Sequence, residues 1–415
     1  MAKSCHKLSS ESPICITFAI ISLNSTAMKH IYISLLCLSF FLSSTMQAQE
    51  NSGIGELIGK VKNVFSPELK VGSYTFKDGS VYTGEMSGRK PHGKGKTVFK
   101  NGDTYEGEYV KGKREGRGIY IFFDGEKYDG QWYQDQQHGK GIYYFLNNNR
   151  YEGMWFQDYQ HGMGVMYYHN GDKYVGNWVN DKRDGEGTYI WAEGARYVGS
   201  WKDDRKNGRG TMNWGDGCLY IGDWKNDMRH GKGAFEYANG DKYEGSWVED
   251  VQHGQGIYKF HTGEVYEGAY LKGDRTGEGI YTYANGDKYV GAFKGGMQHG
   301  RGIFTWNNGA VYEGQWKDNK RDGVGTYRWS NGDVYTGQWK NDRPHGLGEM
   351  KTVAGTDYKG GFSEGLEEGQ GIQTDKDGNQ FEGFFKQGKR DGPFVEKDKA
   401  GRVLKRGTYK MGRLQ

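Results

Sequence analysis

The sequence predicts an all-β protein: an elongated, single-layer, twisted antiparallel β-sheet built from a tandem repeat, preceded by a short N-terminal amphipathic helix. Three observations support this fold class. A 23-residue pattern begins at Tyr82 and continues without insertion or deletion to Phe381, polar residues alternate with others inside each copy, and glycine recurs in phase with aromatic residues. A fixed period over most of a chain indicates one structural unit stacked many times, and not a globular core around a pocket.

Each unit reads Y-x-G-x-W, then a polar loop, then G-x-G-x-aromatic-x-aromatic-x-N-G-x, as in Tyr174 to Arg196. We number every unit from its first residue as position 1. Positions 1, 3 and 5 alternate with polar residues, and positions 14, 16 and 18 do the same, which predicts two half-buried strands per unit. The fourteen units begin at Tyr82, Tyr105, Tyr128, Tyr151, Tyr174, Tyr197, Tyr220, Tyr243, Tyr266, Tyr289, Tyr312, Tyr335, Tyr358 and Phe381.

The expected register pairs position 1 with 18, 3 with 16 and 5 with 14, so that each glycine faces a bulky ring. Gly187 would then lie opposite Trp178, and Gly176 opposite Tyr189. Between units we expect a three-residue loop with a left-handed glycine at position 21, which pairs position 18 with the next position 1 and keeps all rings on one face. Asn148, the only non-glycine at position 21, belongs to a residue type that tolerates this conformation. The expected sheet has 28 strands.

Residues 1–48 are interpreted as a leader, with a signal peptide over 28–48. Lys29 and His30 precede an apolar run from Ile31 to Leu42 that has the length of a signal h-region, and a small, polar tail follows through Ala48. Residues 1–27 are interpreted as an upstream extension from a misassigned start codon. We therefore expect an exported protein, periplasmic or extracellular; the alternative is a leader that remains as a membrane anchor.

Residues 49–71 are interpreted as a linker and a capping helix. Ile54, Leu57, Ile58, Val61 and Phe65 follow helical spacing and would form one apolar face. We expect this face to cover the end of the repeat array, since terminal units of such arrays need covers; association with a membrane surface is the alternative. The array itself is assigned to 72–403, and 404–415 to a partial C-terminal capping repeat that follows out of phase.

Composition excludes several classes of protein. The chain has 415 residues and a formal net charge of +4, too balanced for a dedicated nucleic-acid binder. Its 62 aromatic residues argue against disorder despite 70 glycines. Only Cys218 lies outside the leader, so no internal disulfide framework is expected.

No constellation of residues indicates catalysis or a cofactor. Position 11 holds a histidine in seven units, but other units place Glu, Asp, Asn or Thr there, which favours a polar side chain bonding a tight loop. Successive copies lie roughly 10 Å apart, too far to share a metal ion. Carboxylates at position 8 lack the clustered oxygens of a calcium site and are interpreted as a solvated edge. We expect no metal, no cofactor, no nucleic acid and no small-molecule substrate.

Two surfaces are candidates for binding. The first is the aromatic column at position 18, comprising Phe122, Phe145, Tyr168, Trp191, Trp214, Tyr237, Phe260, Tyr283, Trp306 and Trp329. If it is partly exposed, it exceeds the apolar surface of an ordinary monomer and implies a partner. The second is a basic loop edge at positions 9 and 10 that could contact an anionic surface, comprising Lys113, Arg114, Lys182, Arg183, Arg205, Lys206, Lys320 and Arg321.

The combination of YxGxW, HGxG and NG resembles the MORN (membrane occupation and recognition nexus) repeat, over about Tyr82 to Val403. This resemblance implies an elongated twisted sheet without catalytic activity. Relatives contact membranes or acidic lipids, scaffold other proteins, or mediate dimers.

The sequence thus predicts a non-enzymatic scaffold whose extended surface binds another protein or a second copy of itself in an exported compartment. One alternative is peripheral association with a membrane or acidic lipid, through the basic loop edge or the amphipathic helix. Another is an aromatic platform for glycans.

Overall fold

A computed structural model describes residues 69–415, which form one open antiparallel sheet of 31 strands. The pairings run in chain order, so every connection is a hairpin, and no helix occurs between residues 69 and 415. The prediction of a single all-β sheet with two strands per unit is confirmed. The predicted signal peptide and the helical stripe from Ile54 to Phe65 lie outside the described residues.

Each unit contributes a seven-residue strand and a nine-residue strand. The seven-residue strands are β2 Val81–Ser87, β4 Thr104–Val110, β6 Lys127–Tyr133, β8 Arg150–Phe156, β10 Lys173–Val179, β12 Arg196–Lys202, β14 Leu219–Lys225, β16 Lys242–Val248, β18 Val265–Leu271, β20 Lys288–Lys294, β22 Val311–Lys317, β24 Val334–Lys340, β26 Asp357–Ser363 and β28 Gln380–Lys386. The nine-residue strands are β3 Lys90–Val98, β5 Lys113–Ile121, β7 Gln136–Tyr144, β9 Tyr159–Tyr167, β11 Lys182–Ile190, β13 Arg205–Asn213, β15 Met228–Glu236, β17 Val251–Lys259, β19 Asp274–Thr282, β21 Met297–Thr305, β23 Lys320–Arg328, β25 Arg343–Lys351, β27 Leu366–Thr374 and β29 Lys389–Lys397. Three further strands flank them: β1 Lys70–Thr75, β30 Val403–Lys410 and β31 Arg413–Leu414.

The predicted register within the unit is wrong. Tyr174 pairs with Tyr189, so position 1 faces position 16 and not 18. Gly176 faces Gly187, and each glycine therefore faces another glycine instead of a ring. The pairing is shifted because the polar loop is a two-residue turn, in which Asn180 and Asp181 both have positive φ (47° and 65°), followed by a β-bulge. Two positive φ values in sequence define the type I′ geometry that joins twisted strands.

The turn between units has the predicted type. Gly194 donates its N–H to the carbonyl of Trp191 at 3.0 Å, and Trp191 donates to the carbonyl of Ala195 at 3.0 Å, which encloses three residues. Gly194 is left-handed with φ of 98°, and Asn148 has φ of 63° as predicted. The pairing beyond the turn joins position 16 to the next position 1, as in Tyr189 and Tyr197, and not position 18. Because both registers have the same parity, the rings still share one face.

The paired glycines make room for the tyrosine at position 1. A Cβ on Gly187 would lie 2.2 Å from the hydroxyl oxygen of Tyr174 and 2.5 Å from its Cζ. A Cβ on Gly176 would lie 2.5 Å from the Cα of Gly187. The ring of Tyr174 thus lies flat across both glycines. Its side chain is fully buried, as is the tyrosine of nearly every other unit.

The β-bulge explains why position 1 is tyrosine and not phenylalanine. The register shift falls at position 4, where Asn177 has no residue opposite it on β11. The Tyr174 hydroxyl donates to the carbonyl of Asn177 at 3.1 Å. All thirteen tyrosines at position 1 make the same bond, at 2.6–3.1 Å. A buried carbonyl without a donor would cost stability, so the hydroxyl and the bulge belong together.

The last unit lacks both the tyrosine at position 1 and the glycine at position 14. Phe381 has no hydroxyl, and position 14 is Phe394 in place of glycine. Phe394 pairs with Gly383, and its ring stacks on that of Phe381 with centroids 5.2 Å apart and an interplanar angle of 22°. The second phenyl ring fills the space that a glycine would leave, so the buried layer closes at this end.

Candidate interaction surfaces

The two faces of the sheet differ in chemistry. Positions 1, 3 and 5 of the first strand and 10, 14, 16 and 18 of the second lie on what we call the ring face; positions 2, 4 and 6 and positions 9, 11, 13, 15 and 17 lie on the back face. On the ring face, the residues at position 1 are 3% exposed or less, and those at position 5 are 8% exposed or less. Trp178 meets Tyr174 edge-to-face at 5.2 Å and Tyr151 of the preceding unit at 5.3 Å, which links each unit to its neighbour.

The rings at positions 16 and 18 form an aromatic band along the ring face. Neighbouring centroids lie 4.4–6.2 Å apart, and the longest unbroken stretch joins eleven rings from Trp214 to Trp329. Met166 and Met212 interrupt the ring-to-ring contacts. The ten position-18 residues predicted as a binding surface all lie in this band, and each is half-buried.

The basic residues at position 10 belong to the ring face and not to the loop edge. The guanidinium of Arg183 lies 4.4 Å from the ring centroid of Trp201 in the next unit, and its side chain is only 19% exposed. Arg114 lies 4.2 Å from Trp132 in the same way, and the ammonium of Lys206 lies 4.2 Å from Trp224. Burial lowers the pKa of Lys206 below its ordinary value. These contacts are cation–π interactions between successive units, so half of the predicted basic edge is used inside the fold.

The carboxylates at position 8 accept hydrogen bonds from the residues at position 10 of the preceding unit. Asp204 accepts the backbone N–H of Arg183 at 3.0 Å and its Nε–H at 3.1 Å. The backbone N–H of Asp204 in turn donates to the carbonyl of Arg183 at 3.0 Å. The interpretation of position 8 as a solvated edge was therefore incomplete, because each carboxylate also joins two units. The carboxylates that accept a position-10 backbone N–H are Asp135, Asp158, Asp181, Asp204, Asp227, Asp250 and Asp342.

A second set of carboxylates, at position 22, joins the units at the opposite edge. Asp172 accepts the hydroxyl of Tyr189 and the backbone N–H of Ala192 in the next unit, both at 2.8 Å. Asp241 makes the same contacts to Tyr258 and His261, and the bond from the His261 backbone is the main reason that the pKa of Asp241 lies below its ordinary range.

Several carboxylates at position 11 bond a turn backbone, as the sequence predicted, but most histidines at this position do not. Within residues 69–415, His92 accepts the backbone N–H of Lys111 at 3.4 Å, whereas the Nδ1 atoms of His161 and His345 have no hydrogen-bond partner. Glu115 accepts the backbone N–H of Gln134 at 2.9 Å, and Glu368 accepts that of Gln387 at 2.9 Å. Both donors lie in the type I′ turn of the following unit. In residues 69–415, no three His, Cys, Asp or Glu side chains converge to hold a metal ion. The same residues contain no helix with the length and apolar character needed to span a bilayer.

The basic residues at position 9 remain exposed. Lys113, Lys182, Arg205 and Lys320 project from the back face beside the type I′ turns. Lys182 makes an ion pair with Asp203 at 3.1 Å, but both side chains are more than half exposed. An exposed pair of this kind contributes little to stability, so these cations are available to other ligands.

Alkaline pH should unfold the array. Burial raises the pKa of Tyr266 to about 12 and that of Tyr174 above its ordinary value. The folded state therefore holds these protons more tightly than the unfolded state, so the stabilisation is complete below pH ~10 and decreases as the pH rises toward the folded-state values. Tyrosinate absorbance and circular dichroism should change together above pH ~10. Ionisation of all tyrosines with unchanged circular dichroism would contradict this result.

An exposed patch on the back face could not be recognised from the repeat pattern alone. We define the back-face patch as Tyr133, Tyr144, Met154, Phe156, Tyr159 and Met163, which are 36–56% exposed. Among residues 69–415, four of the six aromatic side chains described as exposed lie in this patch. The sequence indicates this patch through a loss of positive charge. Positions 6 and 9 are frequently lysine in other units, but they are Tyr133 and Gln136 in the third unit and Phe156 and Tyr159 in the fourth.

The fold and its surfaces define a class of protein, a tandem-repeat β-sheet in which carboxylates at positions 8 and 22 and cations at position 10 join one unit to the next. The MORN repeat model matches fourteen segments between residues 82 and 393, and the chain belongs to the MORN repeat family. The matched segments are 82–104, 105–127, 128–150, 151–173, 174–196, 197–219, 220–242, 243–265, 266–288, 289–311, 312–334, 335–356, 358–380 and 381–393.

Comparison with other proteins gives more distant similarities. No curated protein sequence matches the chain. Among solved structures, the TCP domain of Drosophila melanogaster SAS-4, in complex with a proline-rich motif of Ana2, is 15% identical, with 37% of this chain and 85% of that chain covered and a TM-score of 0.25. The TCP10 domain of Danio rerio CPAP is 9% identical, with coverage of 70% and 99% and a TM-score of 0.16. A streptogramin B lyase is 14% identical, with coverage of 65% and 90% and a TM-score of 0.12. These low scores carry no functional inference.

Proposed function

We propose that this protein is a non-enzymatic MORN-repeat scaffold that binds another protein along its aromatic band, in an exported compartment. The observation that carries the proposal is the band itself. Eleven rings, ten of them half-buried and Phe235 buried, form an unbroken strip from Trp214 to Trp329, and such a strip exceeds the scattered apolar residues of an ordinary monomer surface.

The use of the polar side chains supports the same proposal. Carboxylates at positions 8 and 22 accept hydrogen bonds from the following or preceding unit, and position-10 cations contact rings. These groups are already engaged, so they stabilise the array and leave the rings as its most extended free feature. Partly exposed aromatic residues supply large contact area at low entropic cost, which suits them to binding proteins.

Photo-crosslinking in the native cell tests this proposal. A photoreactive phenylalanine analogue at Tyr237 or Trp306 should capture a defined protein, whereas the same analogue at the exposed back-face residue Ile221 should not. Substituting the neighbouring band residue Tyr283 by Ser should lower the yield of the crosslinked product. Equal capture at Ile221 and at the band, or no capture at either band site, would reject the proposal.

A second candidate function is association with anionic lipid through the exposed cations at position 9. Vesicles containing acidic lipid should float with the protein, and Lys113→Ala with Lys182→Ala and Lys320→Ala should reduce this binding, most clearly at low salt. The matched control replaces Lys232, an exposed lysine at position 13 in a different row. Absence of binding at every salt concentration would exclude this function.

Export remains part of the proposal and rests on the leader sequence alone. Lys29, the apolar run from Ile31 to Leu42 and the tail through Ala48 have the pattern of a cleaved signal. Fractionation of the producing cells, with N-terminal sequencing of the mature chain, should locate the protein outside the cytoplasm with a new N-terminus near Gln47 to Gln49. An intact N-terminus on cytoplasmic protein would contradict export.

A further inference from the structure

We propose that the back-face patch binds a proline-rich segment of another protein, in the polyproline II conformation and with an acidic residue at each end. The inference goes beyond the proposed scaffold function, because it assigns a second ligand to the face opposite the aromatic band. It rests on a row of rings that crosses four neighbouring strands, β6 to β9. Tyr144, at position 17, lies near the other edge of the sheet and outside this row.

The four rings run across the strands in one contiguous row. The ring centroids of Tyr133 and His138 lie 5.5 Å apart, those of His138 and Phe156 lie 5.4 Å apart, and those of Phe156 and His161 lie 5.6 Å apart. Successive rings are tilted by 48–52°, so the row has a corrugated surface and not a flat one. Tyr159 pairs with Phe156 in the ladder and borders the row on the side of the type I′ turn.

The period of the row matches that of a polyproline II helix. Residues at the same position of adjacent units, such as Tyr133 and Phe156, are two strands apart, which is roughly 9.6 Å. One turn of a polyproline II helix contains three residues and advances about 9.3 Å. A proline-rich segment that crosses the strands can therefore place every third residue against an equivalent ring.

The backbone of the ligand also favours polyproline II. The row lies on a face of the sheet, where the backbones of β6 to β9 already pair with one another. An extended strand lying on this face would leave its N–H and C=O groups without a ladder. A polyproline II segment needs no ladder, because it has no internal backbone hydrogen bonds and its prolines have no N–H groups. Its carbonyl groups can accept hydrogen bonds from the hydroxyls of Tyr133 and Tyr159, which are 51% and 50% exposed.

Methionine beside the rings favours a peptide over a glycan. Met154 and Met163 lie two residues along the strand from Phe156 and His161, on the same face, and both are exposed. Glycans also stack on rings, but a sugar hydroxyl covered by a methionine side chain would lose its hydrogen bonds to water without replacement. The pyrrolidine rings of proline are apolar and incur no such penalty.

The charges around the row define the ends of the ligand. In the third and fourth units, positions 6, 7 and 9 are uncharged; they are Tyr133, Gln134, Gln136, Phe156, Gln157 and Tyr159. The exposed cations Lys113 and Lys182 occupy position 9 of the units on either side. They lie on β5 and β11, six strand spacings or roughly 29 Å apart. Nine residues of polyproline II span about 28 Å, so acidic residues nine positions apart would reach both lysines.

Fluorescence anisotropy with a labelled synthetic peptide tests the inference on the full chain. The peptide has eight prolines with one glutamate at each end, and its termini are blocked. It should bind saturably, with an affinity that falls as the salt concentration rises. A peptide of the same length and charge, with alternating glycine and serine between the glutamates, should bind at least about tenfold more weakly because binding must order its flexible chain.

Substitutions in the row locate the site. Phe156→Ser with Tyr159→Ser should raise the dissociation constant about 30-fold or more, since central aromatic residues dominate interface energies. Both side chains are about half exposed, so the circular dichroism of this variant should equal that of the wild type. The matched control carries Val248→Ser with Val251→Ser, which changes exposed residues at the same positions of another unit and should leave the affinity unchanged.

A charge-reversal experiment tests how the ligand lies across the strands. Lys113→Glu with Lys182→Glu should weaken binding of the glutamate-ended peptide about tenfold, because like charges then meet at both ends. The same variant should prefer an otherwise identical peptide that ends in lysine. Only a ligand that reaches both flanking units produces this inversion.

The other outcomes overturn the inference. Absence of saturable binding, equal affinities for the proline and the glycine–serine peptides, or full affinity of the Phe156 and Tyr159 variant would each exclude this ligand. A preference that the two lysine substitutions do not invert would exclude the acidic ends. Binding of a chitin or cellulose hexasaccharide in place of the peptide would assign the patch to glycans. The crosslink at Tyr237 reports on the opposite face, so the scaffold function is decided separately.

Discussion

Replacing Gly176 by Ala should destabilise its unit by about 3 kcal/mol, because the added methyl group would overlap backbone as well as side chain. The new Cβ would lie 2.5 Å from the Cα of Gly187 and 2.5 Å from the Tyr174 hydroxyl oxygen. The strands cannot separate to relieve this contact without breaking the ladder on both sides. Native-state hydrogen exchange should show amides of β10 and β11 exchanging about 100-fold faster, since each 1.4 kcal/mol is tenfold.

The matched control for this prediction is Gly194→Ala. Gly194 has a left-handed φ of 98°, and a Cβ there would meet nothing within 4 Å. Its replacement should therefore cost only the backbone strain, about 1 kcal/mol. Equal effects of the two substitutions would show that close packing against Tyr174 is not what excludes a side chain at position 3.

Replacing Asp204 by Gly should weaken the junction between the fifth and sixth units by about 2 kcal/mol. The substitution removes the acceptor of two hydrogen bonds from Arg183, one of them charged, and leaves that guanidinium half-buried against Trp201. Glycine keeps the left-handed backbone, as Gly112 and Gly273 do at the same position of other units. The loss should appear in hydrogen exchange as opening of β11 to β13, while distant units keep their protection.

Asp204→Asn provides the control, because the chain already contains this arrangement. Asn319 occupies position 8 of another unit and accepts the backbone N–H of Gln298 at 2.8 Å. The Asn variant should keep the backbone bond and lose only the charge, with a cost well under that of the Gly variant. If the two variants were equally stable, the side-chain acceptor at position 8 would not contribute to the junction.

Much of the fold could be predicted from the repeat itself. Period, strand number per unit, the shared face of the rings and the left-handed Asn148 all follow from alternation and turn chemistry, which act over a few residues. The register could not be obtained from that pattern, because a bulge leaves alternation intact on both sides while it moves the pairing by two residues. The available signal was the pair at positions 7 and 8, such as Asn180-Asp181 and Lys111-Gly112, which is typical of type I′ turns.

The candidate surfaces were only partly accessible to sequence reasoning. The column at position 18 follows from periodicity, but the contacts of Arg183 with Asp204 and Trp201 join residues of different units that only the register brings together. The basic edge therefore divides into packed cations at position 10 and exposed cations at position 9. The back-face patch can be recognised only from departures from the repeat pattern. Tyr133 and Phe156 replace the lysine found at position 6 in many other units.

The hydrogen bonds of the carboxylates at positions 8 and 22 join only adjacent units. The distance between two surfaces of this protein therefore depends on the number of units that separate them. Removing residues 197–219 would place Arg183 against Trp224 and Asp227, the same residue types that it contacts now, and Ala195 beside Phe235, where Cys218 now lies. Such a chain should fold and should bring the back-face patch about 10 Å nearer to the last unit, the width of two strands. The array thus sets distances in steps of one repeat. The spacing between bound partners can change by whole units without redesign of any contact.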